Sequence, residues 1–488
     1  WGVAMRLRGT PVFPRNMVLG CIRDNRLIYE YGREVARQCR QIGVQVNFAP
    51  VADVNINPKN PVINTRSFGE DPIQVADKVI AYASGLEGGG VLSVCKHFPG
   101  HGDTSEDSHE TLPVVRHNRA RLDSVELLPF KRYIYDGFAG IMTGHLYVPA
   151  LDKSHKPASF SKAVVTDLLQ KELGFQGLCF TDALAMKGAS TKKTDNPSVK
   201  ALLAGNDILL APAAPINDFT AVKEAIEEGV LDLEAIEAKC LKILRYKYIA
   251  GLNAYKPVET KGLSKRLNSA AWMAAKLNSE AITVLKNEDT ILPLKQLNKK
   301  KIAALSIGDG VGNEFQKMLG EYDSIACFSI GRRSTAAQVQ QVYNKLQKYD
   351  VIICGVHTIR IPESLALRQL AAKKELVYAF FTLPYACKEY KKSIEKAKAV
   401  VLAYEGTPLA QEYAAQVIFG GIAAKGKLPV SIPGLYYAGT GVFTEKTRLG
   451  YHQPEEVGAN PDRLDVIESI VKEGLLIPDA KCWLRRTA

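Results

Sequence analysis

VLSVCKHFPGHGDTSEDSHETLP, residues 91–113, begins as a buried strand and opens into a polar, glycine-rich loop. The apolar run Val91–Val94 has strand character and is followed at once by titratable groups. From Lys96 to Pro113 these are Lys96, His97, His101 and His109 together with Asp103, Glu106, Asp107 and Glu110. Two of the chain's eight histidines, His97 and His101, stand only four residues apart. A loop that merely reversed the chain would not need so many ionisable side chains. The end of this strand is therefore the first candidate for a functional site.

Working outward, five short apolar, β-branched-rich runs mark the first 215 residues: Val44–Ala49, Leu92–Val94, Gly140–Met142, Gly177–Phe180 and Ile208–Leu210. Helix-period segments separate them, including Leu27–Ile42, closed by Gly43, and Ala221–Tyr248. Strand alternating with helix predicts a parallel sheet with helical crossovers. Asp53, Lys96 with His97, His145 and Asp182 each follow a different one of these strands. Polar groups gathered at the carboxyl ends of four successive strands predict a TIM-type (β/α) barrel. An open doubly wound sheet would concentrate them at one switch point. A full barrel has eight strands and five are counted, so the expectation is an α/β chain whose barrel, residues 1–250, lacks its first strands.

GLNAYKPVETKGLSKRLN, residues 251–268, reads as a linker. A second alternating series follows: Ala281–Leu285, Ile302–Ile307, Ile325–Ile330, Val351–Val356, Leu376–Phe381 and Ala399–Tyr404, with a last helix over Ala410–Phe419. Residues 269–441 are expected to form a three-layer α/β/α sandwich domain. GDGVG at Gly308–Gly312 follows a strand, but Asn313 stands where a dinucleotide fingerprint needs its third glycine, so a tight turn is expected. Residues 442–488 are a polar tail with an amphipathic stretch over Leu464–Leu476, the possible start of a further domain.

Composition narrows the classes. The chain has 488 residues, 46% of them hydrophobic, enough for at least two cores. Its 63 basic and 51 acidic residues give a formal charge of +12, but the charge lies in short clusters such as Lys299–Lys301 and not in a basic, aromatic-interleaved stripe. Nucleic acid is not an expected partner. Nine scattered cysteines, with no CxxC pair, point to buried free thiols, with neither a disulfide framework nor a zinc knuckle. No run of about 18 apolar residues would span a membrane as a helix. Oligomeric state is not legible.

Three clusters carry chemistry. Asp182, in FTDALAMKGA, ends an apolar strand, where a carboxylate either caps the next helix or acts as a rigidly held nucleophile or base. Asp107 and His109 stand two apart; a carboxylate facing an imidazole favours the imidazolium and makes an acid/base usable near neutral pH, although such a pair is also common in surface turns. Lys96, His97 and Arg66 suit donors to hydroxyl or carboxylate groups of a ligand, or partners for Glu70, Asp71 and Asp103. His97, His101, Asp103 and His109 could ligate zinc, but their spacing matches no zinc signature and Lys96 would set a cation beside the ion, so no metal and no cofactor is expected.

KHFPGHGDTSEDSH followed by FTDALAMKG resembles glycoside hydrolase family 3, in its β-N-acetylglucosaminidase branch. NPVINTRSFGEDP, AGNDILL, AITVLKNEDTILPL and AQVIFGGIAAKGKLPVSIP look like further segments of that family, over roughly residues 1–441. The resemblance implies a retaining glycosidase removing terminal β-linked N-acetylglucosamine, with peptidoglycan fragments as substrates. Asp182 would be the nucleophile, and His109 with Asp107 the acid/base. Lys96, His97 and Arg66 match sugar-binding positions, and Arg6, in GVAMRL, another. It also implies an acidic segment and three barrel strands upstream of Trp1–Gly2. VGANPDRLDVIESIVKEG resembles the opening of a serine β-lactamase-like domain, which favours the cell envelope. Because an imidazole does not repel an anionic acceptor, a phosphorylase is a second expectation. A β-glucosidase or xylosidase, or a carbohydrate-binding protein without catalysis, are the others.

Overall fold

The computed structural model describes residues 2–107, 111–189, 195–460, and 463, 464, 466, 467, 469 and 470. His109, Trp1 and much of the tail expected to open a further domain, including residues 471–488, lie outside the described residues.

In the first half, β1 (Val46–Asn47), β2 (Leu92–Phe98), β3 (Gly140–Thr143) and β4 (Leu178–Thr181) pair in chain order as a parallel sheet. β3 and β4 are buried at every position, as their unbroken apolar runs require of strands covered on both faces. The fifth expected strand, Ile208–Leu210, forms only one bridge, Phe180 to Ile208. It runs beside β4, but the Leu210 N–H goes to the Thr181 hydroxyl at 2.9 Å, so a side chain interrupts the ladder.

The helix expected over Leu27–Ile42 runs Asn25–Gln41, capped by Asp24 and burying Leu27, Tyr31, Val35 and Cys39. It packs against the helix Pro72–Gly88 through paired glycines: a Cβ on Gly32 would lie 2.5 Å from the Tyr82 carbonyl oxygen, and one on Gly85 2.2 Å from that of Tyr29. The single segment Ala221–Tyr248 is in fact two helices, Pro215–Glu227 and Leu233–Ile249. Gly229 at φ +71° ends the first, and the Asp232 carboxylate accepts the Glu234 N–H to start the second.

In the second half, β5 (Thr283–Asn287), β6 (Ile302–Ile307), β7 (Ala326–Ile330), β8 (Val351–Val356), β9 (Glu375–Phe380) and β10 (Ala399–Leu402) form one sheet in the order β5-β10-β9-β8-β6-β7. All its pairings are parallel except β5 with β10, an antiparallel edge that alternation alone did not reveal. Helices Glu314–Gly320, Ala336–Leu346, Leu365–Lys373 and Pro408–Phe419 connect or cover it. Residues beyond 441 stay bonded to this half, with Val442 N–H on the Val284 carbonyl at 2.7 Å and the Gln416 amide on the Tyr451 carbonyl at 3.0 Å.

Three links tie the halves together near the carboxyl ends of the first sheet. Glu70 accepts from the Ser431 N–H at 2.7 Å and donates its own N–H to the Pro429 carbonyl at 3.0 Å. The Asn55 amide donates to the Tyr385 hydroxyl at 2.8 Å.

Candidate active site

β2 delivers Lys96 and His97 to the end of the first sheet, and the loop after β1 delivers Asp53. Asp53 is completely buried. Its carboxylate faces the His97 Nδ1 at 2.8 Å and accepts the backbone N–H groups of His97, at 3.2 Å, and His101, at 2.7 Å. Burial opposes its ionisation, but His97 and His101 outweigh it and hold the carboxyl below its ordinary value. Because a carboxylate only accepts, Nδ1 carries the His97 proton toward Asp53. The other ring nitrogen, Nε2, lies 3.4 Å from Arg66 Nη2 and 4.0 Å from Asp182 Oδ2.

Asp182 sits one residue past β4. Its backbone N–H donates to the Thr143 carbonyl at 2.9 Å, and its Oδ1 accepts the Ala183 N–H at 2.8 Å. The side chain is 18% exposed, open enough to meet a ligand. Burial again opposes ionisation; His97, His145, the Ala183 N–H and Lys96 together outweigh it, so the carboxyl stays charged below its ordinary pKa. Burial lowers the His145 pKa against the pull of Asp182; its Nε2 donates to the Ala183 carbonyl at 3.1 Å, and its Nδ1 meets the Ser159 hydroxyl at 2.7 Å. Lys96 is pushed down to about 8, by burial first and then by Arg66, against the pull of Asp182 and Asp53.

Lys96 and Arg66 line a cavity of about 160 Å³ with Asn47, Phe48 and Tyr82. Of the expected site residues, Asp182, Lys96, His97 and Arg66 therefore come together. Arg6 does not join them: it is exposed, and its guanidinium donates to the neighbouring Met5 carbonyl at 3.1 Å. Asp107 is half-buried in the loop, its carbonyl accepting the Thr111 N–H at 2.9 Å. Its expected partner His109 lies outside the described residues.

Asp53, His101 and His145 complete the site. They were visible as polar residues at or just beyond strand ends, but nothing in the sequence showed that Asp53 reaches His97. Of the four residues weighed as zinc ligands, His109 lies outside the described residues; Asp53 meets His97 Nδ1 at 2.8 Å and Thr104 meets His101 Nδ1 at 2.7 Å. Asp103 instead meets His117 Nε2 at 2.6 Å, tying together the two ends of the loop that holds Asp107. These two and Glu126 are the cluster among the described residues that could hold an ion, but the Arg121 guanidinium stands 3.3 Å from Glu126 and supplies a positive charge there already.

Residues 1–246 match the family model described as glycosyl hydrolase family 3 N terminal domain, and the chain belongs to that family. It is 38% identical over 285 residues to beta-hexosaminidase A of Pseudoalteromonas piscicida, an overlap of 54% of this chain and 47% of that protein. Beta-hexosaminidase LpqI of Mycobacterium bovis is 36% identical over 236 residues, 45% of this chain and 58% of that one. The chain spans about half the length of the curated relatives it matches. Among solved structures, the glycoside hydrolase family 3 beta-N-acetylglucosaminidase of Paenibacillus sp. str. FPU-7 superposes with a TM-score of 0.70 at 29% identity, covering 88% of this chain and 84% of that one.

Proposed function

We propose that this chain carries the catalytic machinery of a retaining glycosidase acting on terminal β-linked N-acetylglucosamine, with peptidoglycan fragments as its natural substrates. Residues 1–250 are read as βα units of a TIM-type barrel, and residues 269–441 as a sandwich domain packed on its catalytic face. The observation that carries the reading is Asp182: an ionised, partly open carboxylate at a strand end, flanked by His97 and His145 and standing beside a cavity lined by Lys96 and Arg66. The names of the relatives above, beta-hexosaminidase and beta-N-acetylglucosaminidase, support the sugar.

In this reading Asp182 attacks the anomeric carbon as the bond to the aglycone oxygen breaks, giving a covalent glycosyl-enzyme. The His109 imidazolium, paired with Asp107, protonates the departing oxygen. Neutral His109 then takes a proton from water, whose oxygen displaces Asp182 and restores the carboxylate. Lys96, Arg66 and His97 hold the sugar hydroxyls, and Asp53 fixes the His97 ring. Hydrolysis of p-nitrophenyl β-N-acetylglucosaminide tests this. The full chain should release nitrophenol, and Asp182→Asn should lose at least about a thousandfold of that rate, as expected when a covalent nucleophile is removed. Undiminished turnover by the variant would overturn the role of Asp182.

A further inference from the structure

The loop that follows β2 and holds Asp107 leaves the body of the protein at Asp103 and returns at His117, 14 residues on. Its first foot is anchored by Thr104, which is 1% exposed and whose carbonyl accepts the Asn57 side-chain amide at 3.2 Å. Its second foot pairs with the segment after β3. There the Val115 N–H donates to the Tyr147 carbonyl and the Tyr147 N–H to the Pro113 carbonyl, both at 2.9 Å. Each of these contacts ties one foot to the body. The feet are tied to each other by side chains, with His117 Nε2 donating to Asp103 Oδ2 at 2.6 Å.

This pair sits on a third side chain. Glu126 is 3% exposed, and Gly100, at the start of the loop, lies so close that a Cβ there would stand 2.8 Å from Glu126 Cβ. One Glu126 oxygen accepts from Arg121 at 3.3 Å; the other is buried with no hydrogen-bond partner among the described residues. Polar atoms of Asp103, His117 and Glu126 converge within 4.8 Å of one another. Two carboxylates that close repel, and the imidazole donor on Asp103 offsets the repulsion. Without it, Asp103 would face a second acid at the base of the loop. Neither Asp103 nor His117 lines the cavity beside Lys96 and Arg66.

We infer that Asp103 and His117 are positioning residues for the proposed acid/base: their bond, seated on Glu126, fixes the spacing of the loop's feet and thereby the place of Asp107. They act through the loop and not on the sugar. The inference rests on the glycosidase reading of the site.

The consequence falls on proton transfer to the leaving oxygen. A general acid matters most when the leaving group is basic, so phenol needs it and 2,4-dinitrophenol hardly does. In the full chain, His117→Leu keeps the bulk and loses the donor. Its kcat/KM for phenyl β-N-acetylglucosaminide should fall about tenfold, and that for the 2,4-dinitrophenyl glycoside by less than about threefold. His117→Gln, whose amide can still donate, should stay within about threefold on both. Adding Asp103→Ala to His117→Leu should cost nothing more, because the two residues act as one unit. Asp103→Ala alone gives the same comparison where His117→Leu does not fold. No loss, equal losses on both glycosides with unaltered thermal unfolding, or losses that add in the double variant would overturn the inference. If the unmutated chain cleaves neither glycoside, the glycosidase reading falls, and hydrogen exchange of the Val115 amide then decides the pin. Faster exchange in His117→Leu at equal thermal stability upholds it, and equal exchange rejects it.

Discussion

Replacing Asp53 by Asn keeps the size of the most buried carboxylate at the site and removes its charge. Its Oδ1 can still accept the backbone N–H groups of His97 and His101. The new amide nitrogen, however, would stand where Oδ2 now meets His97 Nδ1 at 2.8 Å. Two donors would face each other, so His97 must move its proton to Nε2, where the Arg66 donor lies 3.4 Å away. One charge-assisted hydrogen bond is worth about 1.5–3 kcal/mol. Lost from an orienting pair, that energy corresponds to a fall in kcat/KM of about 10- to 100-fold on the aryl glycoside. The same loss should lower folding stability by about 2 kcal/mol near neutrality. The folded pKa of Asp53 is depressed, so its contribution is complete above the ordinary Asp value near 4 and is lost as pH falls through the folded value. Melting curves of the two proteins should therefore converge in acid. Activity within about twofold of the unmutated chain, together with melting curves that stay parallel down to about pH 3, would refute the argument that Asp53 fixes the His97 tautomer.

Three further outcomes follow from Lys96 and Gly102. Lys96, at about 8, should lose its charge in mild alkali, so KM for the glycoside should rise above that pH, and Lys96→Arg should flatten the rise because guanidinium stays charged. Since an unfolded lysine keeps its proton to about 10.4, stability should climb between these two values, and Lys96→Met should remove that climb in a thermal scan against pH. Gly102 allows no side chain: a Cβ there would sit 1.7 Å from the Val54 carbonyl oxygen. Gly102→Ala should cost more than about 3 kcal/mol or displace the loop from Asn57, and an unchanged melting temperature would contradict this packing.

Much of this molecule was legible as local pattern. Runs such as Ile302–Ile307 and Val351–Val356 are strands over the expected residues because an apolar, β-branched run buried on both faces has few alternatives. The helix Asn25–Gln41 follows from its period and its Asp24 cap. Where one residue changes the outcome, pattern failed. Gly229 divided a helical stretch whose apolar spacing runs through it. The Thr181 hydroxyl took a backbone donor from the segment that would have been the fifth strand. Arg6, expected from the family resemblance at a sugar-binding position, is exposed, with its guanidinium on the neighbouring Met5 carbonyl.

The sequence by itself determined the α/β class, the family, and the residue types at four strand ends, because periodicity and motif are properties of neighbours along the chain. It could not determine who faces whom across the chain. That Asp53 orients His97, that Asp103 pairs with His117, and that Lys59 shares a cleft with Arg332, Arg360 and Lys388 depend on separations of up to several hundred residues. Only the folding of strand-end loops against one another, within the first half and across to the second, closes such distances to hydrogen-bond or cleft-sharing range. The electrostatics of the site arise there, since a carboxylate's charge state depends on burial and on the cations that tertiary structure brings beside it.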